Sequence, residues 1–367
     1  MAKMVFVSHS SADDQIVQRY ADALKSVGIS CWLDHENDIP AGSSYPKEIR
    51  KGIKESPLFL LFYSSNVNNE PDDILDEIET VKEKRKKEKE GTIIPVCLDN
   101  TEYSEDFKYY LSRIQRVDVA SMDDDEAVRK VVHVVREKLA IELKLAMKKA
   151  DELYSRKKYR QAIGLYRRCA EGGDAGAQYV LGMMYYDGNG VSRDYEMAAY
   201  WLSEAAEQRH PQAAYNLGRM YQYGRGVREL SKSKAMELYR AAAEDGDAEA
   251  QCCLAEMYYN EGSEDVKNLN EAFQWFSKAA RHGCFRAGYF LGKMYEDGKG
   301  AENNMDDALK WYEWAAKHGV KEAQNRLNEL KRGNGSSCLV SILRALIVIL
   351  DVIGLALLAV IFFLLYR

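Results

Sequence analysis

One five-residue phrase constrains this chain more than any other feature. Leu181-Gly182-Met183-Met184-Tyr185 returns in outline at Leu217, Leu254 and Leu291, 36 or 37 residues apart, and Leu327 begins a truncated fifth copy. A second phrase interleaves with it. Ala198, Trp201-Leu202 and Ala205-Ala206 recur from Ala235, from Ala272 and from Ala308, with an earlier version from Ala162. Offsets of three, four and seven lie on one helix face, so each repeat reads as two helices. The small residues let paired helices approach, and the Trp, Tyr and Leu side chains fill the space between them. Asp187-Gly188-Asn189-Gly190, Gly224-Arg225-Gly226 and Asp297-Gly298-Lys299-Gly300 supply positive-φ turns between the helices. One such unit cannot bury its apolar stripe alone, so neighbours stack into an α-solenoid. Its aromatic residues read first as core, and partner binding falls to exposed positions that sequence does not resolve.

The first hundred residues obey another rhythm. Apolar runs at Met4–Ser8, Leu58–Tyr63 and Thr92–Val96 are each followed by a polar turn and a helical stretch. Such alternation builds a parallel sheet with helices on both faces and a ligand site at the carboxyl ends of the strands. The conspicuous polar residues of this segment, from Ser8-His9-Ser10 to Asp34, fall at those ends. The charged run Lys82–Glu90 reads as a solvated helix end.

A chain of 367 residues exceeds one hydrophobic core. Its net charge of −6 argues against general nucleic-acid binding. Seven scattered cysteines without a C-x-x-C pair fit reduced thiols. The six histidines lie too far apart for metal-ligand spacing, so no metal is expected. From Ala345 to Tyr366 every residue except Asp351 is apolar or Gly. As a helix this run spans about 33 Å, enough to cross a bilayer. Lys331, Arg332 and Arg344 precede it, and only Arg367 follows. That asymmetry predicts a single-pass C-terminal anchor with the N-terminal domains in the cytoplasm. Asp351 within the run either reaches toward the interface or contacts another span.

Two resemblances sharpen the reading. The array, residues 141–332, resembles Sel1-like repeats of the tetratricopeptide type, in about five helix pairs plus a capping helix. Its first unit is closer to an ordinary tetratricopeptide unit. Residues 1–140 resemble a bacterial-type TIR domain in their ordered phrases: Phe6-Val7-Ser8-His9-Ser10-Ser11, Trp32-Leu33-Asp34, Asp38-Ile39-Pro40-Ala41-Gly42, Glu77 and Ile93-Ile94-Pro95-Val96. A short linker, 333–344, and the transmembrane helix, 345–366, complete the multidomain plan.

The TIR resemblance implies a flavodoxin-like α/β fold with five parallel strands near 4–8, 29–33, 58–63, 92–97 and 115–119. It implies a mobile loop from Leu33 to Ser44 that turns at Gly42. Some TIR domains only self-associate as adaptors; others cleave the nicotinamide–ribose bond of NAD. For the second kind the resemblance implies Glu77 as catalytic residue, with NAD as substrate and no cofactor. Asp76 and Glu79 lie one and two residues away. Phe6, Ser8, His9, Ser10, Trp32, Asp34, Gly42 and Tyr45 are the candidate NAD-binding residues. Ser10 and Asp13 have a second reading as caps of the helix that begins near residue 13, and Trp32 as core.

The expected function is a membrane-anchored NAD nucleosidase that forms linear or cyclic ADP-ribose on clustering. TIR domains would self-associate, and the array would bind an unidentified protein as sensor or scaffold. The resemblance suggests antiviral defence. The alternatives are a non-catalytic adaptor and an effector whose C-terminal helix disrupts the membrane.

Overall fold

The computed structural model describes residues 4–33, 45–69, 71–88, 91–261 and 266–332. Strands β1 (Val5–Ser8), β2 (Cys31–Leu33), β3 (Leu58–Tyr63), β4 (Thr92–Cys97) and β5 (Val117–Asp118) form one sheet. All pairings are parallel, and the order is β2-β1-β3-β4-β5. Helices α1 (Asp14–Ser26), α2 (Tyr45–Glu55), α3 (Asp72–Glu88) and α4 (Glu105–Leu111) make the crossovers. This is the flavodoxin-like order, with its switch point between β1 and β3, where a crevice opens at the carboxyl ends of the strands.

Both sheet faces are covered, so the strands are apolar on both sides. Every residue of β3 is buried. Val5, Val7, Leu60 and Phe62 pack with Val17 and Leu24 of α1. Phe6, Phe59, Leu61 and Tyr63 pack with Ile49 and Ile53 of α2, Ile74 and Ile78 of α3, and Phe107 of α4. Each fully buried aliphatic or aromatic side chain contributes about 1.5–3 kcal/mol.

Helix α5 (Asp124–Ser155) has 32 residues and is about 48 Å long. Asp123 opens it by accepting from Glu126 N at 2.8 Å. Its first half packs Ala127, Val131, Val135 and Leu139 into the sheet domain. Its second half presents Ala146 and Ala150 beside α6 (Tyr159–Glu171). Position 140, the expected domain boundary, therefore falls inside one uninterrupted helix. The absence of Gly and Pro between Val96 and Ile163 permits this continuity.

The chain divides into two compact units. The first runs to His210 and includes Arg225–Arg228; the second takes the rest from Pro211. The first unit holds the sheet domain, α5, α6, α7 (Ala175–Asp187) and α8 (Tyr195–Glu207). The second holds α9 (Pro211–Tyr223), α10 (Lys232–Glu244), α11 (Ala248–Glu261), α12 (Val266–Arg281), α13 (Phe285–Asp297), α14 (Met305–Lys317) and a final helix over 321–332. Consecutive helices pair as the repeat predicts, and Ala323 and Leu327 of the final helix are buried.

Packing between paired helices follows residue size. A Cβ added at Gly182, Gly218 or Gly292 would lie 2.7–2.9 Å from the facing Leu202, Tyr239 or Tyr312. Buried tyrosines also need a partner for the hydroxyl. Tyr166 donates to Asp151 (2.7 Å), Tyr239 to Gln222 (2.6 Å) and Tyr312 to Glu296 (2.7 Å). Where the same repeat position is Phe276, no hydroxyl needs an acceptor, and the Tyr259 ring packs at 6.5 Å.

Glu296 also receives Arg326 from the final helix, at 3.1 Å from Nε. That guanidinium holds the Glu296 carboxyl below its usual value, although burial opposes it. A carboxyl with a depressed folded-state value stabilises the fold above its unfolded value of 4.5, and this contribution fades as pH falls through the folded value. Arg326→Ala is therefore expected to lower the melting temperature at pH 7, and the gap to wild type should narrow at pH 3. Melts that differ equally at both pH values would remove this pair as the cause.

The apolar run 345–366 and the linker 333–344 lie outside the described residues. Among the described residues no helix is long and apolar enough to cross a membrane.

Candidate active site at the carboxyl ends of the strands

Ser8 closes β1 and is fully buried. Ser10 accepts from Ala12 N at 3.4 Å and caps the short turn Ser11–Asp13. The His9 ring is buried, and its Nε2 lies 2.9 Å from Asp14 Oδ1. Asp13 does not cap α1 with its side chain. Instead its buried carboxylate reaches the turn after β3. Ser64 Oγ donates to it at 2.5 Å, and Asn66 Nδ2 donates at 2.8 Å. Ser64 Oγ in turn accepts from Asn66 N at 3.1 Å, and Ser65 N donates to Asp99 at 2.9 Å. Asp13 thus joins the ends of β1 and β3 at the switch point, a role that sequence did not assign it. Asp13→Ala would leave two donors without their carboxylate, at a cost of about 2–4 kcal/mol. Chemical denaturation should show that loss; an unchanged midpoint would mean that the network adds nothing.

The aromatic candidates form a floor beneath this level. Phe6 is fully buried and stacks on Phe59 with centroids 5.5 Å apart. Trp32 pairs with Phe6 in the sheet register. Both rings lie against Gly52 of α2, where an added Cβ would sit 2.9 Å from Trp32 Cδ2 and 3.2 Å from Phe6 Cδ2. Phe6 is therefore core, and Trp32 packs on the same core while only partly buried. Tyr45 begins α2, but its side chain lies outside the described residues, as do Asp34 and Gly42.

Helix α3 carries Glu77. Ile74, Ile78 and Val81 are buried against the sheet. Sequence places Glu77 at the edge of that face; the structure places it inside, only 5% exposed. Its neighbours Asp76 and Glu79 are exposed, so burial separates the three carboxylates. Lys84 explains the geometry. It belongs to the charged run read as a solvated helix end, yet it is buried, and Nζ donates to Ser56 O (2.7 Å) and Ile53 O (3.3 Å). Those carbonyls end α2. The stripe from Glu77 to Lys84 accordingly faces α2 rather than solvent, which sequence periodicity against the sheet alone does not reveal.

Glu48, in the first turn of α2, was not singled out by sequence. It is 9% exposed, and its Oε2 has no hydrogen-bond partner among the described residues; an ion pair with the exposed Lys51 measures 3.6 Å. Its signal was its position four residues before Gly52, which matters only once Gly52 is known to face Trp32. No group of three or more metal-capable side chains occurs among the described residues. Buried carboxylates and hydroxyls thus lie on β1, α2 and α3, the elements that meet at the switch point, and their chemistry suits a ligand that presents hydroxyls or positive charge.

The fold is that of a flavodoxin-like α/β domain joined to helical repeats. Comparison with known families is specific: a TIR domain model matches residues 5–132, and a Sel1 repeat model matches 175–210, 211–247, 248–284 and 286–320. The chain carries a TIR domain followed by Sel1 repeats. The repeat match begins after α6, in keeping with the atypical first unit. Among solved structures, the chain is similar to a Sel1 repeat protein from Oxalobacter formigenes, with 34% identity, 48% of this chain and 72% of that one covered, and a TM-score of 0.45. It is similar to c5321, a protective antigen of uropathogenic Escherichia coli with an SLR fold, at 22% identity, 61% and 62% coverage and a TM-score of 0.37. It is also similar to the TIR domains of the activated Roq1 resistosome that recognises the effector XopQ, at 20% identity, 36% and 99% coverage and a TM-score of 0.31.

Proposed function

We propose that the TIR domain cleaves NAD between nicotinamide and ribose. The observation that carries this reading is one buried carboxylate, Glu77, beside the carboxyl ends of the strands in a TIR domain, a family that includes NAD-cleaving members. The nicotinamide of NAD is cationic and leaves as a neutral base. Positive charge then develops on the ribose, where a fixed carboxylate stabilises it, as in glycoside hydrolysis. Water captures the sugar to give ADP-ribose, or an internal nucleophile closes the cyclic product.

The continuous α5 supports mechanical coupling between this domain and the first repeats. The array serves as sensor or scaffold for a protein partner, and the apolar run 345–366 holds copies at a membrane, where confinement raises their effective concentration. An antiviral role fits this plan. The test is nicotinamide release from NAD by the full chain in lipid vesicles, at low and high surface density. Clustered protein that releases none would sink the proposal.

A second reading, a non-catalytic adaptor, is favoured by Tyr109, which is 78% exposed on α4 beside Tyr110 and below Lys82. Such an aromatic and cationic patch suits self-association. Under that reading Tyr109→Ala, and not a change at Glu77, would remove function.

A further inference from the structure

Four contacts of α2, with β1, β2 and α3, set a common level in the TIR domain. Gly52 of α2 lies against Phe6 and Trp32. One turn earlier on α2, about 6 Å toward the strand ends, stands Glu48. Two residues beyond Phe6 on the same face of β1, about 6.6 Å in the same direction, stands Ser8. On α3, Lys84 is tied to the carbonyls that end α2. Seven residues earlier, about 10.5 Å up the helix, Glu77 comes level with residues 46–49 of α2. By these rises Ser8, Glu48 and Glu77 fall at one level above the apolar floor.

Two residues at that level carry a buried oxygen without a hydrogen bond, although Glu48 meets the exposed Lys51 at 3.6 Å. Ser8 Oγ, on a fully buried residue, and Glu48 Oε2 have no hydrogen-bond partner among the described residues; Trp32 Nε1, at the floor below, has none either. A buried polar atom left without a partner costs about 1–3 kcal/mol, so a cluster of them points to a ligand that completes it.

The chemistry narrows that ligand. An ionised carboxylate only accepts, and its two oxygens match two adjacent hydroxyl donors; a serine hydroxyl accepts or donates. Two carboxylates at one level repel a pyrophosphate and attract a cationic ring. We propose that Glu48 and Ser8 bind the hydroxyls of the nicotinamide ribose, which sets its C1′ atom against Glu77. This assignment rests on the NAD reading of the site and adds a substrate-binding carboxylate to it.

The test uses the full chain in vesicles, with nicotinamide release and calorimetric NAD binding measured together. Glu48→Gln should raise KM about 10- to 100-fold, the loss expected for charged hydrogen bonds, with kcat changed far less. Ser8→Ala should shift KM in the same direction. Binding should also be compared for NAD and for an analogue lacking both hydroxyls of the nicotinamide ribose, which needs no variant. Wild type should bind the analogue at least about tenfold more weakly, and Glu48→Gln should discriminate little between the two. If wild type cleaves NAD but holds both ligands equally, or if Glu48→Gln keeps the wild-type KM, the Glu48 assignment is overturned and the NAD reading stands. If wild type binds NAD with this discrimination yet releases no nicotinamide, the binding assignment survives and cleavage fails. If it binds neither ligand, both fall.

Discussion

Glu77→Gln in the full chain is expected to reduce nicotinamide release about a thousandfold at saturating NAD, with the fold intact. The estimate is electrostatic. A carboxylate about 4 Å from a developing positive charge, at an effective dielectric of about 20, stabilises it by about 4 kcal/mol. Each 1.36 kcal/mol is about tenfold in rate, so the loss is about three orders of magnitude. The amide keeps the side-chain shape and removes the charge, so the loss should fall on kcat rather than KM. The internal control is on the same helix: Asp76→Asn and Glu79→Gln alter exposed carboxylates and should change the rate less than about threefold. A Glu77→Gln protein that turns over NAD at the wild-type rate would eliminate the residue as catalyst. A Glu79→Gln protein that loses activity would mean that the buried position is not the reacting one.

Gly190→Ala is expected to cause a large loss of stability. Gly190 has φ +79°, in the left-handed region, and an added Cβ would sit 2.6 Å from the carbonyl carbon of Tyr159 and 2.7 Å from its oxygen. Those are backbone atoms at the start of α6, so no rotamer change relieves the clash. Gly300 repeats the device in the second unit, where the Cβ would lie 2.5 Å from Leu269 O. The expected cost is about 3 kcal/mol or more. For a unit of this size that lowers its melting temperature by about 6–12 °C. Gly188→Ala separates the two causes. Gly188 has the same φ, but its nearest neighbours are at 3.5 Å, so only the backbone strain of about 1–2 kcal/mol applies. Equal shifts for the two variants would show that close approach contributes nothing.

The repeat phrases alone determine the array: where its helices pair, where its loops turn, and that aromatics at the pairing positions, such as Tyr166, Trp201, Tyr239, Phe276 and Tyr312, are core, while Tyr200, Tyr223 and Phe285 are exposed. This works because helix pairing is local, and the period of the apolar stripe carries the geometry. The β-α alternation likewise determines the parallel sheet, and β1, β3 and β4 lie within a residue or so of where the apolar runs place them. Long-range contacts were not legible. Nothing local marks Asp13 as the residue that binds the β3 turn, because its partners, Ser64 and Asn66, are some fifty residues away. The run Lys82–Glu90 reads as solvent-facing until Lys84 is seen holding the carbonyls that end α2. That contact turns the stripe of α3 toward α2, buries Glu77 and leaves Asp76 and Glu79 in water. A motif can name the carboxylate, but burial depends on which helix lies alongside, and only the tertiary structure decides that.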